Sequence, residues 1–563
     1  MNNNILQSKY DDWNTSIFIG FASLIIIFRF ALTADLGVHT IYAPHDELLY
    51  ILRAYSLLTD GSLGIYDART LVKLPGFSFF LAALRFLGLP YLQAILIFQA
   101  MAGLYLLWIL KRVNVPVSIL LVTFTLYVFN PVSFDAQSFR VLREPIALVL
   151  QVTILGAMGY IFHSAYIGKL AWLHVVVLSL ACSSLMLIRE EDVILYGVLV
   201  SYATVFFLIV RHNLGSKKAL RLSCLVLTTV LFTILTTNAS SRFYIFKHYG
   251  APILHDFGEG EFPKLIAAIR SIETKKDNRL VMPSQDVLLQ LREKIPETIP
   301  LVIKLPRPGS GSDSCARFGV CSEWTSGWMY FWLKDAAFAS GLTPDLPSSQ
   351  AYFKHVRMEI ENACSDGRLQ CSSKGEGMFP PFEFRWTRAI AYELTKAIGM
   401  MIRPPFTDPE YPQEAPVDEQ TMKFYKIVTM SSYDSPLPTG IDDQLSRKFL
   451  SQKIISPFHK IKYGIEYLYN IFGSLIILSG FLSFLYLLWS WRSDSEHNLI
   501  IVMASMATVY ACIRLFALSY LSIYMGTLDP RLYFSTYIIA LLFSLHLLFL
   551  AIKYYRISKY KLI

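Results

Sequence analysis

The chain has 563 residues, of which 54% are hydrophobic, 14% aromatic and only 17% charged, with a formal net charge of +9. A soluble domain carries about 25% charged residues, so this composition excludes an ordinary soluble enzyme and indicates a polytopic membrane protein. The cationic excess does not argue for nucleic acid, because membrane proteins collect Lys and Arg at their surfaces.

Apolar runs able to cross about 30 Å of hydrocarbon need roughly 20 residues each. In chain order they are Ser16–Leu32, Tyr91–Leu110, Val115–Phe129, Pro145–Ile161, Leu170–Ile188, Val193–Val210, Leu220–Leu235, Tyr467–Trp489, Leu499–Tyr520 and Leu532–Ile552. About ten transmembrane helices are therefore expected, Val115–Phe129 being the shortest of them. The run Phe77–Leu89 is too short to span, holds Arg85, and reads as a helix lying in the interface. The first span reads as an uncleaved anchor.

Lys111, Arg112, Lys169, the Arg211–Arg221 cluster, Arg492 and the tail Lys553–Lys561 fall on one side of these spans, which the positive-inside rule makes cytoplasmic. Both termini are then inside, and the loops Asp35–Pro90 and Asn238–Glu466 are outside. The outer face also carries Arg53, Arg69, Lys73, Arg85, Arg140, Arg143, Arg189 and Arg531. Arg matches phosphate and carboxylate in a bidentate fork. This set suits an anionic lipid, or equally ion pairs with Asp46, Glu47, Glu144 and Glu190.

Three blocks follow. Residues 1–237 form an N-terminal transmembrane module whose first outer loop, 35–90, holds the candidate chemistry. Residues 238–466 form an extracytoplasmic, mainly helical domain, with helix-like stretches at Phe262–Ile272, Ser284–Lys294, Ala351–Ala363 and Trp386–Met400. Pro404–Pro416 is proline-rich and reads as extended. Residues 467–563 form a three-helix module. Trp324, Trp328 and Trp332 recur at helical spacing, as core or interface anchors or as a sugar platform. Cys182, Cys224 and Cys512 lie in spans, whereas Cys315, Cys321, Cys364 and Cys371 all lie in the large loop. Four cysteines allow three pairings, and the short separations favour Cys315–Cys321 and Cys364–Cys371. Disulfides need an oxidising compartment, in keeping with an external loop. The spacings exceed those usual for zinc.

Candidate chemistry starts at Asp46 and Glu47, where the chain leaves the first span. Adjacent helical residues point about 100° apart, so one acid faces a ligand and the other pairs with a cation such as Arg53. Asp46 is the choice for general base, a role that requires hydrogen-bond reach of the proton removed. The competing reading is an N-terminal carboxylate stabilised by the helix macrodipole. Glu144 opens the fourth span beside Pro145, which suits a first helical turn, and would orient an acceptor or satisfy Arg143. The charged turn Arg189–Asp192 reads mainly as a solubilising turn. Arg531 and Tyr533 open the last span at headgroup level. Arg514 lies deeper, and an intramembrane ionisable group is a functional hypothesis by default. Arg29 lies near a span end and is able to snorkel. No phosphate-binding P-loop, dinucleotide fingerprint, His-Glu-x-x-His or nucleophile elbow occurs.

The ordered set Asp46, Glu47, Tyr50, Tyr55, Gly61, Tyr66, Lys73-Leu74-Pro75-Gly76-Phe77, Glu144, Arg531 and Tyr533 resembles the GT-C superfamily of integral-membrane glycosyltransferases. Its members include protein O-mannosyltransferases, lipid A aminoarabinose transferases and oligosaccharyltransferases. The similarity covers mainly Ser16–Leu235 and the final span. It implies Asp46 as catalytic base with Glu47 and Glu144 beside it. It also implies a polyprenyl-phosphate sugar donor held by Arg531, Tyr533, Lys73, Arg143 and Arg514, and a glycan, lipid or protein acceptor. Inverting transfer on the outer face of a bacterial inner membrane is the expected activity. No cofactor is expected, and a divalent metal is left open, its ligands unplaced. A polyprenyl-lipid transporter and a non-catalytic envelope assembly protein are the rival readings.

Overall fold

The computed structural model describes residues 2–32, 37–39, 46–112, 115–134, 139–274, 279–307, 323–372, 381–403, 418–431, 433–434, 461, 464–489, 495–525 and 530–560. The protein is mainly α-helical. Nine helices make its N-terminal part: α1 (Asn2–Ala31), α2 (Asp46–Thr59), α3 (Gly76–Phe86), α4 (Tyr91–Lys111), α5 (Val117–Val128), α6 (Glu144–Tyr166), α7 (Trp172–Ile188), α8 (Asp192–Leu214) and α9 (Ser216–Tyr249). Helices Ser474–Trp489, Ser495–Met525 and Phe534–Tyr560 close the chain. A parallel pair of two-residue strands, Val38–His39 and Tyr433–Asp434, ties the segment after α1 to the segment after helix Glu419–Thr429.

Among the described residues, seven helices are long and apolar enough to cross a membrane: α4, α6, the 194–214 part of α8, α9, and the three C-terminal ones. Three shorter apolar helices, Ser16–Ala31, Val117–Val128 and Trp172–Ile188, fall on the remaining expected spans, and the fourth, Gly76–Phe86, is the one expected in the interface. The chain is therefore an integral membrane protein. Val117–Val128 rises only about 18 Å, so it is short of a full crossing.

One apolar core joins the bundle, where α6 packs on α4 and α7, α9 packs on α7 and α8, and the C-terminal helices pack on α5, α6 and α8. The expected boundary at Asn238 falls inside a continuous helix. Helix α9 runs 34 residues to Tyr249, about 51 Å, and stops at Gly250, whose φ of 80° suits a left-handed C-cap. Its last turns thus belong both to a span and to the region that follows it.

The region after α9 has its own core, with Phe262, Ile266, Tyr330, Leu333, Phe353 and Val356 at its centre. It is built from helices Glu261–Ser271, Gln285–Lys294, Ile299–Lys304, Ser326–Ala339 and Leu346–Ser365. A disulfide joins Cys364 to Cys371. Cys315, Cys321 and the stretch Pro404–Pro416 lie outside the described residues. Helix Ser326–Ala339 starts after Trp324, so the three tryptophans do not share one helix face. Trp324 is buried with Nε1 donating to the Pro306 carbonyl at 3.0 Å, while Trp328 is exposed. The chain from 387 onward returns to the bundle. Helix Thr387–Ile402 packs on the last two long helices, and Glu419–Thr429 packs on α2 and α3.

Candidate functional site

Asp46 and Glu47 occupy the first turn of α2, where carboxylates offset the positive end of the helix. The loop after α2 turns at Gly61 and Gly64, both at positive φ, and then reaches the break Lys73–Phe77. Arg53 is buried and organises this loop, its Nη1 donating to the Lys73 carbonyl and its Nη2 to the Arg69 carbonyl, each at 3.0 Å. Pro75 then caps α3, and Gly76 lies against the end of α7. A Cβ there would stand 2.4 Å from the Leu187 carbonyl oxygen, so only glycine allows the approach. This close packing returns Lys73 to α2, where its Nζ meets Asp46 Oδ2 at 3.2 Å.

The two adjacent acids divide as helical geometry demands. Asp46 is about one-third exposed, whereas Glu47 is fully buried and takes the Arg140 Nε at 2.5 Å. The cation held by Glu47 is therefore Arg140, not Arg53. Tyr91 fixes the Arg140 loop by donating to the Arg140 and Leu142 carbonyls, at 3.3 and 3.2 Å. Glu47 is thus engaged by Arg140, and Asp46 is the part-exposed acid of the two.

Arg143, immediately before α6, donates from Nη1 to the Ile188 carbonyl and to both Glu190 oxygens at 2.9 and 2.8 Å, and its guanidinium lies 5.8 Å from the Tyr50 ring centroid. Glu144, in the first turn of α6, pairs with Arg189 at a looser 3.6 Å. Arg189 also meets Glu191 at 2.9 Å, and Glu191 accepts from Gln151 at 3.1 Å and pairs with Arg514. The solubilising reading of the Arg189–Asp192 turn is thus overturned for its first three residues. That turn supplies the carboxylates that tie α6 to helix Ser495–Met525, which spacing alone did not disclose.

Burial by itself would raise the Glu190 carboxyl, but Arg143, followed by Lys73 and His255, holds it below the usual carboxylate range. Glu191 is likewise held low, Arg514 and Arg189 outweighing the effect of burial. Asp46, Glu47, Glu144 and Glu190 each pair with a nearby cation, as the ion-pair reading of the outer arginines requires.

The expected phosphate-binding residues do not converge as a set. Arg514 is buried and committed, donating from Nη1 to Glu191 and Tyr510 and from Nε and Nη2 to the Leu532 carbonyl. Tyr533 is buried against Ala397, Leu515 and Leu518. Arg143 is matched by Glu190. Arg531 lies in the short 3-10 helix Pro530–Tyr533, and its side chain is outside the described residues. Arg29 does not snorkel but is buried, donating to the Ser133 carbonyl at 2.8 Å. Lys73 is the expected cation that meets Asp46. Among the described residues no group of three or more His, Cys, Asp or Glu side chains could hold a metal ion.

The helical region after α9 abuts this cluster. Arg69 forms a bidentate pair with Asp335, at 2.6 and 3.2 Å, and the Asp256 backbone N–H donates to the Leu71 carbonyl at 2.8 Å. Leu63, Tyr66, Leu71 and Leu74 of the loop pack with Ile245, Tyr249, Leu254 and Leu346.

No protein-family model and no curated protein matches the chain. Among solved structures it is similar to an apo crystal structure of the Archaeoglobus fulgidus oligosaccharyltransferase. The identity is 10% and the TM-score 0.40, over 98% of this chain and 52% of that one. The chain thus spans about half the length of that protein.

Proposed function

We propose that the protein is a glycosyltransferase of the GT-C type, which takes a sugar from a polyprenyl-phosphate donor and inverts the anomeric carbon. The observation that carries this reading is the Asp46–Lys73 pair, a part-exposed carboxylate and ammonium 3.2 Å apart at one end of a membrane bundle. Those are the two groups that the transfer needs, a base for the acceptor hydroxyl and a cation for the leaving phosphate.

Donor phosphate draws the Lys73 ammonium off Asp46. The carboxylate then accepts the hydroxyl proton of the acceptor, whose oxygen attacks the anomeric carbon while the bond to phosphate oxygen breaks. Base and leaving-group site are thereby coupled, because one ammonium answers both Asp46 and the donor phosphate. Glu144, in the first turn of α6, orients the acceptor. The arginine pairs around Glu47, Glu190 and Glu191 hold the frame. The site faces the extracytoplasmic side, with both termini cytoplasmic. The acceptor class is a cell-envelope glycan, lipid or protein.

Asp46→Asn, assayed for transfer from undecaprenyl-phosphate sugars with thermal melting as the folding control, tests this. The expected loss is about 10²- to 10⁴-fold, as for removal of a general base. Undiminished transfer by the folded variant removes Asp46 as base.

A further inference from the structure

Helix Thr387–Ile402 has two unlike faces. One is apolar and closes on the bundle, where Ile390 clusters with Ile523 and Tyr524, and Ala397 with Leu515, Leu518 and Tyr533. Ser522 donates to Glu393 Oε2 at 2.6 Å, and Ser474, which opens helix Ser474–Trp489, donates to the Ile402 carbonyl at 3.0 Å. The order of these contacts sets the helix antiparallel to Ser495–Met525, along its last turns.

The other face is basic. Arg388, Tyr392 and Lys396 recur at i, i+4 and i+8, and Arg403 continues the line at the C-cap, over about 22 Å. All four are exposed, Tyr392 to 70%. The three cations enter no ion pair among the described residues, whereas Arg140, Arg143, Arg189 and Arg514 are each matched by a carboxylate. Just before the helix, Phe382 and Phe384 are exposed, and Trp386 carries the guanidiniums of Arg385 and Arg279 over its ring, at 4.8 and 5.8 Å from the centroid.

The depth of this face follows from the helix that holds it. The 28 residues Asn498–Met525 rise about 42 Å, roughly 12 Å more than the hydrocarbon of a bilayer. Its last turns therefore have room to stand at headgroup level, and Thr387–Ile402 stands there with them. Unpaired Lys and Arg are costly in hydrocarbon but favourable beside anionic headgroups. Aromatic rings among cations suit the same layer.

We propose that helix Thr387–Ile402 binds anionic phospholipid, its basic line taking headgroup phosphates from the leaflet at that end of the bundle. The apolar face is already occupied by the three C-terminal helices, so the helix does not insert by itself. It holds anionic lipid where those three helices meet.

The test uses the full-length protein with Tyr392 replaced by photo-reactive benzoyl-phenylalanine, in nanodiscs of phosphatidylcholine with a minority of phosphatidylglycerol. Mass spectrometry identifies the cross-linked lipid. Phosphatidylglycerol should be captured beyond its share of the mixture, and the excess should fall as salt is raised. Arg388→Gln or Lys396→Gln should each lower the capture ratio about fivefold, the worth of one cation near an anionic surface. Arg388→Lys and Lys396→Arg should keep it. Thermal melting checks that the variants fold. Capture in proportion to the mixture, capture of no lipid, or an excess that survives loss of both cations overturns the assignment.

Discussion

Lys73 reaches Asp46 across 3.2 Å only because Gly76, three residues further on, packs directly on the Leu187 carbonyl. The pair is set by a backbone contact between α3 and α7, and a change at Gly76 should be felt at Asp46.

Gly76→Ala is expected to destabilise the protein by about 1–3 kcal/mol, as overpacking does, because the atom met is backbone and cannot rotate away. Thermal melting in micelles and transfer activity should fall together. A fully active, fully stable variant would show that α3 shifts freely and does not position Lys73.

Lys73→Met removes the cation but keeps the stem. The expected result is a rise in donor KM of about tenfold or more, the worth of a charge-assisted hydrogen bond, with acceptor KM little changed. An unaltered donor KM would dissociate Lys73 from the phosphate.

The buried Glu47–Arg140 pair predicts a non-additive cycle. Glu47→Leu and Arg140→Met should each cost about 3–5 kcal/mol, since each removes one half of a buried ion pair, whereas the two together should cost less than the sum. Denaturation curves of the three variants decide this, and strict additivity would mean that the two groups do not interact.

Arg143 and Lys73 hold the Glu190 carboxyl below its usual range against the opposing effect of burial. A carboxyl held low in the folded state contributes stability that is present above its unfolded value, near pH 4.3, and is lost as pH falls through the folded value. Glu190→Gln should therefore be less stable than wild type at pH 7, with the two converging below about pH 4. The effect is modest because the Glu190 side chain is one-third exposed and solvent screens the pair. Melting curves that stay parallel from pH 7 to pH 3 would contradict this.

The Cys364–Cys371 disulfide closes a short loop at the end of helix Leu346–Ser365. Chain-entropy reasoning gives about 2–3 kcal/mol for a loop of that size. Replacing both cysteines by serine should lower the melting temperature of the outer domain and leave the cluster around Asp46 intact. Unchanged stability on reduction would make the bond dispensable.

The apolar runs were legible because a bilayer imposes one length and one composition on any crossing segment. The division of Asp46 from Glu47 was legible too, since helical pitch separates neighbours by about 100°. The choice of Arg140 as partner of Glu47 was not, because those residues lie 93 positions apart. The commitment of Glu191 to Arg514 was not legible either, because it depends on helix Ser495–Met525 packing beside α6.

The sequence by itself determined that this is a helical membrane protein, which of its turns are charged, and that Asp46 and Lys73 flank one loop. These follow from hydropathy and short-range geometry, which act within a few residues. Only the tertiary structure decided which acid meets which cation, since pairing depends on helix packing across tens to hundreds of residues. It placed Asp46 with Lys73 and committed Arg514 and Arg143 to Glu191 and Glu190.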